Sequence, residues 1–90
     1  MAKKSDGKVS ANLERYVQLT NQYATLSSIR SDRIKKLMGM LSGSKGEALS
    51  QGEVVSAIYN IIEVDGRILE TLDEANDLLF ETIKTVAGED

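Results

Sequence analysis

The chain has 90 residues and contains neither cysteine nor histidine, which excludes thiolate and imidazole catalysis and a Cys/His zinc site. Neither glycine-rich nucleotide-binding motif occurs, so we predict no enzyme activity, no bound metal and no cofactor. The net charge of −3 conceals a basic half and an acidic half, because residues 1–45 hold nine basic and three acidic residues and residues 46–90 hold two and eleven. Such asymmetry is typical of a protein that meets a polyanion at one end, and equally of a helical protein whose charges pair between its two halves.

The small size of the chain favours self-association. One hydrophobic core of this length is marginally stable, and neither disulfides nor zinc can support it here. Oligomerisation is the remaining means of stabilisation, so we predict a homodimer, with a homotetramer favoured. No apolar run approaches the roughly 20 residues of a membrane-spanning helix, and no signal peptide is evident. These features predict a cytoplasmic protein with no membrane partner.

The N-terminal region is predicted to contain a mobile segment and a short strand. Residues 1–12 should form a basic flexible arm that carries Lys3, Lys4 and Lys8. In residues 15–20, apolar and polar side chains alternate, as in a strand with one buried face. The same residues also fit the three-to-four spacing of a helix, so periodicity leaves both structures open at this point.

The remainder of the chain is predicted to be helical. A helix is expected from about residue 22 to residue 41, followed by a Gly/Ser turn at residues 42–46. Ser50 and Glu53 have the spacing of a capping box, which predicts that the next helix begins at about Gln51. Gly66 is the one helix breaker before Gly88, so a kink or a boundary at Gly66 is possible.

The acidic half carries an unbroken heptad pattern. Its members are Val55, Ile58, Ile62, Asp65, Leu69, Leu72, Asn76, Leu79, Ile83 and Val86. A flanking set at Val54, Ile61, Ile68 and Ala75 widens the apolar face, which favours a bundle of several helices. We predict that residues 65–90 are an oligomerisation helix, in which Leu69, Leu72, Asn76, Leu79, Ile83 and Val86 join the copies. Asn76 either sets the register of the helices or lies partly exposed at a bundle edge.

Two short segments resemble the ribbon-helix-helix family of Arc- and MetJ-type DNA-binding proteins. They are the alternating residues Tyr16-Val17-Gln18-Leu19-Thr20 and the helix opening Ser50-Gln51-Gly52-Glu53-Val54-Val55. The resemblance covers about residues 15–63, with departures at Gly52, where the family often has serine, and in a longer first helix. It implies a mainly α fold with one short N-terminal strand, a DNA-binding domain at residues 13–64 and an added C-terminal helix.

The resemblance also implies functional roles. Two protomers would pair their strands in the major groove, with Val17 and Leu19 facing the dimer core. Gln18 would read a base edge, and the amides at the start of the second helix would hold a phosphate. The residues implied to contact DNA are Lys3, Lys4, Lys8, Arg15, Tyr16, Gln18, Thr20, Gln51, Gly52 and Glu53.

Two functional hypotheses follow from these patterns. The first is a sequence-specific protein that binds double-stranded DNA, such as a repressor or a plasmid or phage partition or conjugation factor. The alternative is an all-α helical hairpin or bundle, which acts as a structural or adaptor protein by self-assembly or by binding a partner helix. Whether residues 16–19 are extended or helical distinguishes the two.

Overall fold

A computed structural model describes the backbone of residues 6–44 and 50–88, with the side chains of residues 7–42 and 50–88. The described residues form two helices, α1 at Asp6–Ser44 and α2 at Gln51–Gly88, and no strand occurs among them. The helices contribute to two compact units. Unit 1 combines α1 up to Ala24 with α2 from Glu70 onwards, and unit 2 is built from Thr25–Leu69.

The predicted strand at residues 15–20 is wrong, because these residues are part of α1. Leu19 is 1% exposed and Leu26, one heptad later, is 7% exposed, whereas Val17 is 55% exposed. Leu19 and Val17 therefore lie on different faces of a helix, not on one face of a strand. Without a strand to pair, the ribbon-helix-helix resemblance is also wrong. The fold is all-α, and the helical-hairpin alternative is the correct one of the two.

In unit 1, polar contacts show that the helix segments run antiparallel. Lys8 Nζ lies 3.4 Å from Glu81 Oε1, and Arg15 Nη2 lies 2.8 Å from Glu74 Oε2. About two turns of helix after Arg15, Gln22 Nε2 donates to Thr71 Oγ1 at 3.2 Å. Residues later in α1 therefore contact residues earlier in α2. The two ion pairs are exposed and each contributes only about 0.2–1 kcal/mol, so they define register more than stability.

Unit 2 is also an antiparallel helix pair. Arg30 Nε lies 2.6 Å from Asp65 Oδ1. Arg33 donates from Nη1 to the carbonyl of Asn60 at 2.6 Å and lies 3.8 Å from Glu63 Oε1. Arg33 is therefore held by both a backbone oxygen and a carboxylate. These contacts account for two of the four cationic side chains between residues 30 and 36.

The helices pack through a strip that we call the inner seam. On α1 its least exposed members are Val9, Asn12, Tyr16, Leu19, Leu26, Arg33, Leu37 and Met40. On α2 they recur at heptad spacing and are Ala57, Ile61, Val64, Ile68, Thr71, Ala75, Leu78 and Thr82. Most of the fully buried ones are small, and among the described residues only Leu19 and Val64 are large side chains with almost no exposure. Asn12 Nδ2 is also buried and has no hydrogen-bond partner within the described chain, which costs about 1–3 kcal/mol. The inner seam therefore provides a thin core.

The predicted start of the second helix is confirmed. α2 begins at Gln51, and Ser50 Oγ accepts a hydrogen bond from the Glu53 amide at 3.5 Å. The Val54 amide donates to the Ser50 carbonyl at 3.0 Å, which closes the first turn. α2 continues through Gly66, where an added Cβ would meet nothing within 4 Å. Gly66 is therefore not required for close packing and does not end the helix.

Replacing Ser50 with alanine is expected to lower the free energy of unfolding by about 0.5–1 kcal/mol, because the first turn of α2 loses its side-chain acceptor. Urea denaturation followed by circular dichroism at a fixed protein concentration measures this change. Ser56→Ala is the matched control, because Ser56 is exposed in the interior of the same helix and alanine is the better helix former. An equal loss in both variants would contradict the capping role.

Other predicted boundaries differ from the structure or lie outside it. α1 begins at Asp6, so residues 6–12 of the predicted flexible arm are helical, and residues 1–5 lie outside the described residues. The helix expected at residues 22–41 is confirmed as part of the longer α1. Lys3 and Lys4 lie outside the described residues, as does the later part of the Gly/Ser turn. The predicted domain limits at residues 12 and 64 fall inside continuous helices.

Candidate assembly surface

The heptad pattern recognised in the acidic half lies on a different face of α2 from the inner seam. Its members follow the inner-seam residues by one position, as Ile58 follows Ala57 and Leu72 follows Thr71. We call this strip the outer seam of α2. It is largely uncovered by the chain, with Leu69 66% exposed and Ile83 62% exposed. A row of large aliphatic side chains is therefore left in contact with water.

α1 has an outer seam of its own, which sequence reasoning missed. Its members also follow the inner seam by one position, and they are Leu13, Val17, Thr20, Ala24, Ser27, Ser31, Ile34, Met38 and Leu41. None of them is charged, although 28% of the chain is charged. The alternating steps of three and four residues were the available signal, but the small residues at its centre conceal the pattern.

The two outer seams lie on the same side within a unit. In an antiparallel pair, advancing one residue along each right-handed helix turns both side-chain rows towards the same side. A hollow of about 320 Å³ in unit 1 shows this directly, because outer-seam residues Thr20 of α1 and Leu72 and Asn76 of α2 line it together. Inner-seam residues Leu19 and Ala75 line it as well. The result is a groove of mixed character, lined by apolar side chains and by the polar groups of Tyr16, Thr20, Tyr23, Thr71 and Asn76.

The charged side chains concentrate away from the outer seams. Lys8, Arg15, Glu74 and Glu81 form the ion pairs of unit 1 at positions that precede the inner seam. The outer seam of α2 contains one charged residue, Asp65, and Arg30 lies 2.6 Å from its carboxylate. If the outer seams were buried, the carboxylate of Asp65 would therefore still be paired with Arg30.

The residues predicted to contact DNA do not form the expected ribbon. Lys8 and Arg15 are bonded to carboxylates, and Arg15 Nη1 also donates to Gln18 Oε1 at 3.4 Å. Tyr16 lies along the inner seam, and Thr20 Oγ1 donates to the Val17 carbonyl at 2.7 Å. Gln51, Gly52 and Glu53 form the exposed first turn of α2 in unit 2. Their contacts with DNA stay predictions, without the strand pair on which they were based.

The predicted oligomerisation residues divide between the two seams. Leu19 lies in the inner seam and is buried by its own chain, so it cannot serve a dimer core as the resemblance implied. Val17 and the α2 residues Leu69, Leu72, Asn76, Leu79, Ile83 and Val86 all lie in the outer seams. Asn76 is exposed at the rim of the unit 1 groove. Each of these except Leu19 is placed where a second chain could reach it.

No family model, characterised protein or solved structure matches this chain. Neither described helix has a segment long and apolar enough to cross a bilayer. Among the described residues, no three carboxylates come together as a metal site. The exposed outer seams are accordingly the candidate functional surface of the described residues.

Proposed function

We propose that this chain is a structural or adaptor protein that self-assembles through the outer seams of α1 and α2. The observation that supports the proposal is the presence of a second apolar heptad row on each helix, exposed on the same side within each unit. Heptad rows of this kind are the surfaces through which helices pack in bundles. In a chain of this size, burying them supplies the stability that the thin inner core lacks.

The energetic argument rests on the size of the exposed side chains. Covering a Val, Leu or Ile side chain contributes about 1.5–3 kcal/mol relative to leaving it in water. The outer seam of α2 alone exposes several of them, among them Ile62 at 57% and Leu69. Association therefore offers more apolar burial than most single contacts within the chain. A helix of another protein is the competing occupant of the same surface.

Self-assembly predicts that stability depends on protein concentration. We expect the melting temperature to rise over a concentration series from about 1 µM to 1 mM, because association stabilises the folded chain by mass action. Sedimentation equilibrium over the same series should give a mass of at least two chains at the upper end. A constant melting temperature with the mass of one chain throughout would exclude self-assembly.

The DNA-binding hypothesis makes a different prediction in the same instrument. Duplex DNA added at low salt would then sediment with the protein, because phosphate contacts strengthen as salt falls. The ion pairs of Arg15, Arg30 and Arg33 already engage cations that such binding would need. The concentration series and the DNA titration together separate the two functions.

A further inference from the structure

We propose that the outer seams are covered by a second copy of this chain, turned end for end, with α1 of one copy packed on α1 of the other. This inference rests on the proposed self-assembly and specifies its partner and geometry. The two copies would be related by a two-fold axis perpendicular to α1, so that every contact occurs twice. Four helices would then form one bundle around both seams.

The outer seam of α1 is close to symmetric about its centre. Small side chains occupy the middle of the seam, at Thr20, Ala24, Ser27 and Ser31. Large aliphatic side chains occupy both ends, with Leu13 and Val17 before the centre and Ile34, Met38 and Leu41 after it. An antiparallel partner therefore places large residues of one end against large residues of the other, while the small middle allows close approach.

Charge at the edge of this seam favours the antiparallel direction. Glu14 directly follows Leu13 and Lys35 directly follows Ile34, so the two occupy the same heptad position, three heptads apart. Their midpoint, between Ala24 and Thr25, lies within the small middle of the seam and about one residue from the centre of that small middle. Turning one copy end for end places Glu14 of each copy opposite Lys35 of the other. A parallel α1 pair would instead oppose like charges.

The surroundings of Glu14 and Lys35 leave both side chains accessible to a partner. Both residues are exposed, and neither forms an ion pair with another side chain in the described part of the chain. Glu14 borders an open apolar hollow of about 480 Å³ on α1, which Leu13 and Val17 also line. The carboxylate thus stands at the rim of the apolar surface, where charges guide the orientation of partners.

The charges within the outer seams agree with coverage by a second copy. The α1 seam is uncharged and the only charged member of the α2 seam is neutralised by Arg30. The outer seams of a second copy can therefore cover the outer seams of the first without burying an unpaired charge.

A charge-reversal experiment tests the geometry. In a Glu14→Lys dimer, the new lysine at position 14 of each copy faces Lys35 of the other. In a Lys35→Glu dimer, the new glutamate at position 35 of each copy faces Glu14 of the other. Each variant therefore contains two repulsive contacts. We expect either variant alone to raise the Kd of the dimer roughly tenfold at low salt. In an equimolar mixture, each Glu14→Lys chain meets a Lys35→Glu chain, and both contacts become attractive. Native mass spectrometry should therefore show heterodimers well above the statistical half of all dimers.

Controls keep the outcomes separate. Asp77→Lys reverses an exposed charge on the polar side of α2 and should leave the Kd within about twofold. The Glu14→Lys/Lys35→Glu double variant should recover the affinity of the original dimer, and circular dichroism should show unchanged helicity throughout. Suppose that half of the dimers in the mixture are heterodimers, as chance predicts, and that Leu69→Glu in the outer seam still dissociates the dimer. This result would overturn the antiparallel geometry and leave self-assembly intact. A monomer at every concentration overturns both.

Discussion

Replacing Leu69 with glutamate is expected to dissociate the assembly, raising its Kd at least about a hundredfold. Leu69 is the most exposed aliphatic member of the outer seam of α2 and is 66% exposed in its own chain. Each chain loses about 1.5–3 kcal/mol of leucine burial, and the dimer loses it twice. It also gains two carboxylates in an apolar interface, and each 1.4 kcal/mol is a tenfold change in Kd. Sedimentation velocity at several concentrations measures the shift.

Tyr59→Glu is the matched control for Leu69→Glu. Tyr59 is also 66% exposed on α2, but it lies outside both seams. The same substitution there should change the Kd by much less, because the tyrosine does not face a bundle neighbour. Comparable dissociation in both variants would mean that the outer seam is not the contact surface. Helicity of the Leu69→Glu chain should persist at high concentration, since the inner seam is unchanged.

Replacing Leu19 with alanine is expected to lower the free energy of unfolding by about 2–5 kcal/mol. Leu19 is 1% exposed and is one of two large side chains that are almost completely buried in the part of the chain that the structure describes. The substitution leaves a cavity in unit 1 next to small inner-seam residues, Thr71 and Ala75, which offer few atoms to refill it. Urea denaturation at one fixed protein concentration gives the change, read from the midpoint with an unchanged slope.

The size of that loss matters because the total is small. A domain of 90 residues has about 5–13 kcal/mol of stability, so the Leu19→Ala cavity removes a large share of it. Phe80→Ala is the control, because Phe80 is 65% exposed and lies outside both seams. Its effect should stay below about 1 kcal/mol. A Leu19→Ala chain as stable as the Phe80→Ala chain would contradict the inner seam as the core.

The second helix was predictable because its signals are local. Ser50 and Glu53 mark its first turn within four residues, and no proline or strong breaker follows. The outer seam of α2 was also recognised, because large aliphatic residues such as Leu69 and Leu72 make the heptad visible. What the pattern could not show is that this seam is the one left exposed by the chain.

The strand prediction failed because two different helical faces alternate over a short window. Val17 belongs to the outer seam and Leu19 to the inner seam, so apolar residues two positions apart look like one face of a strand. Only the recurrence of Leu19 at Leu26, and the continuation to residues outside the window, distinguishes helix from strand. Five residues are too few for that distinction.

The inner seam of α2 was recognised only in part: Ile61, Ile68 and Ala75 belong to the flanking set, but the pattern did not show that they face the other helix of the same chain. Ala57 and Thr71 were missed because they have low apolar weight, although each is almost fully buried. Thr71 can be buried because its hydroxyl accepts from Gln22 of the opposite helix. Small side chains permit close helix approach, so burial here follows from geometry more than from hydrophobicity. The hydrogen-bond partner of Thr71, Gln22, can be identified only once the pairing of the two helices is known.

The antiparallel arrangement also affects the order in which the helix segments can pair. Contacts in unit 2 join residues 27 and 35 positions apart, whereas those in unit 1 join residues 49, 59 and 73 positions apart. Shorter loops close at lower entropic cost, so we expect the helix segments of unit 2 to pair before those of unit 1. The first segment of α1, with Leu19, would then acquire its core last, when it meets the part of α2 that follows Glu70.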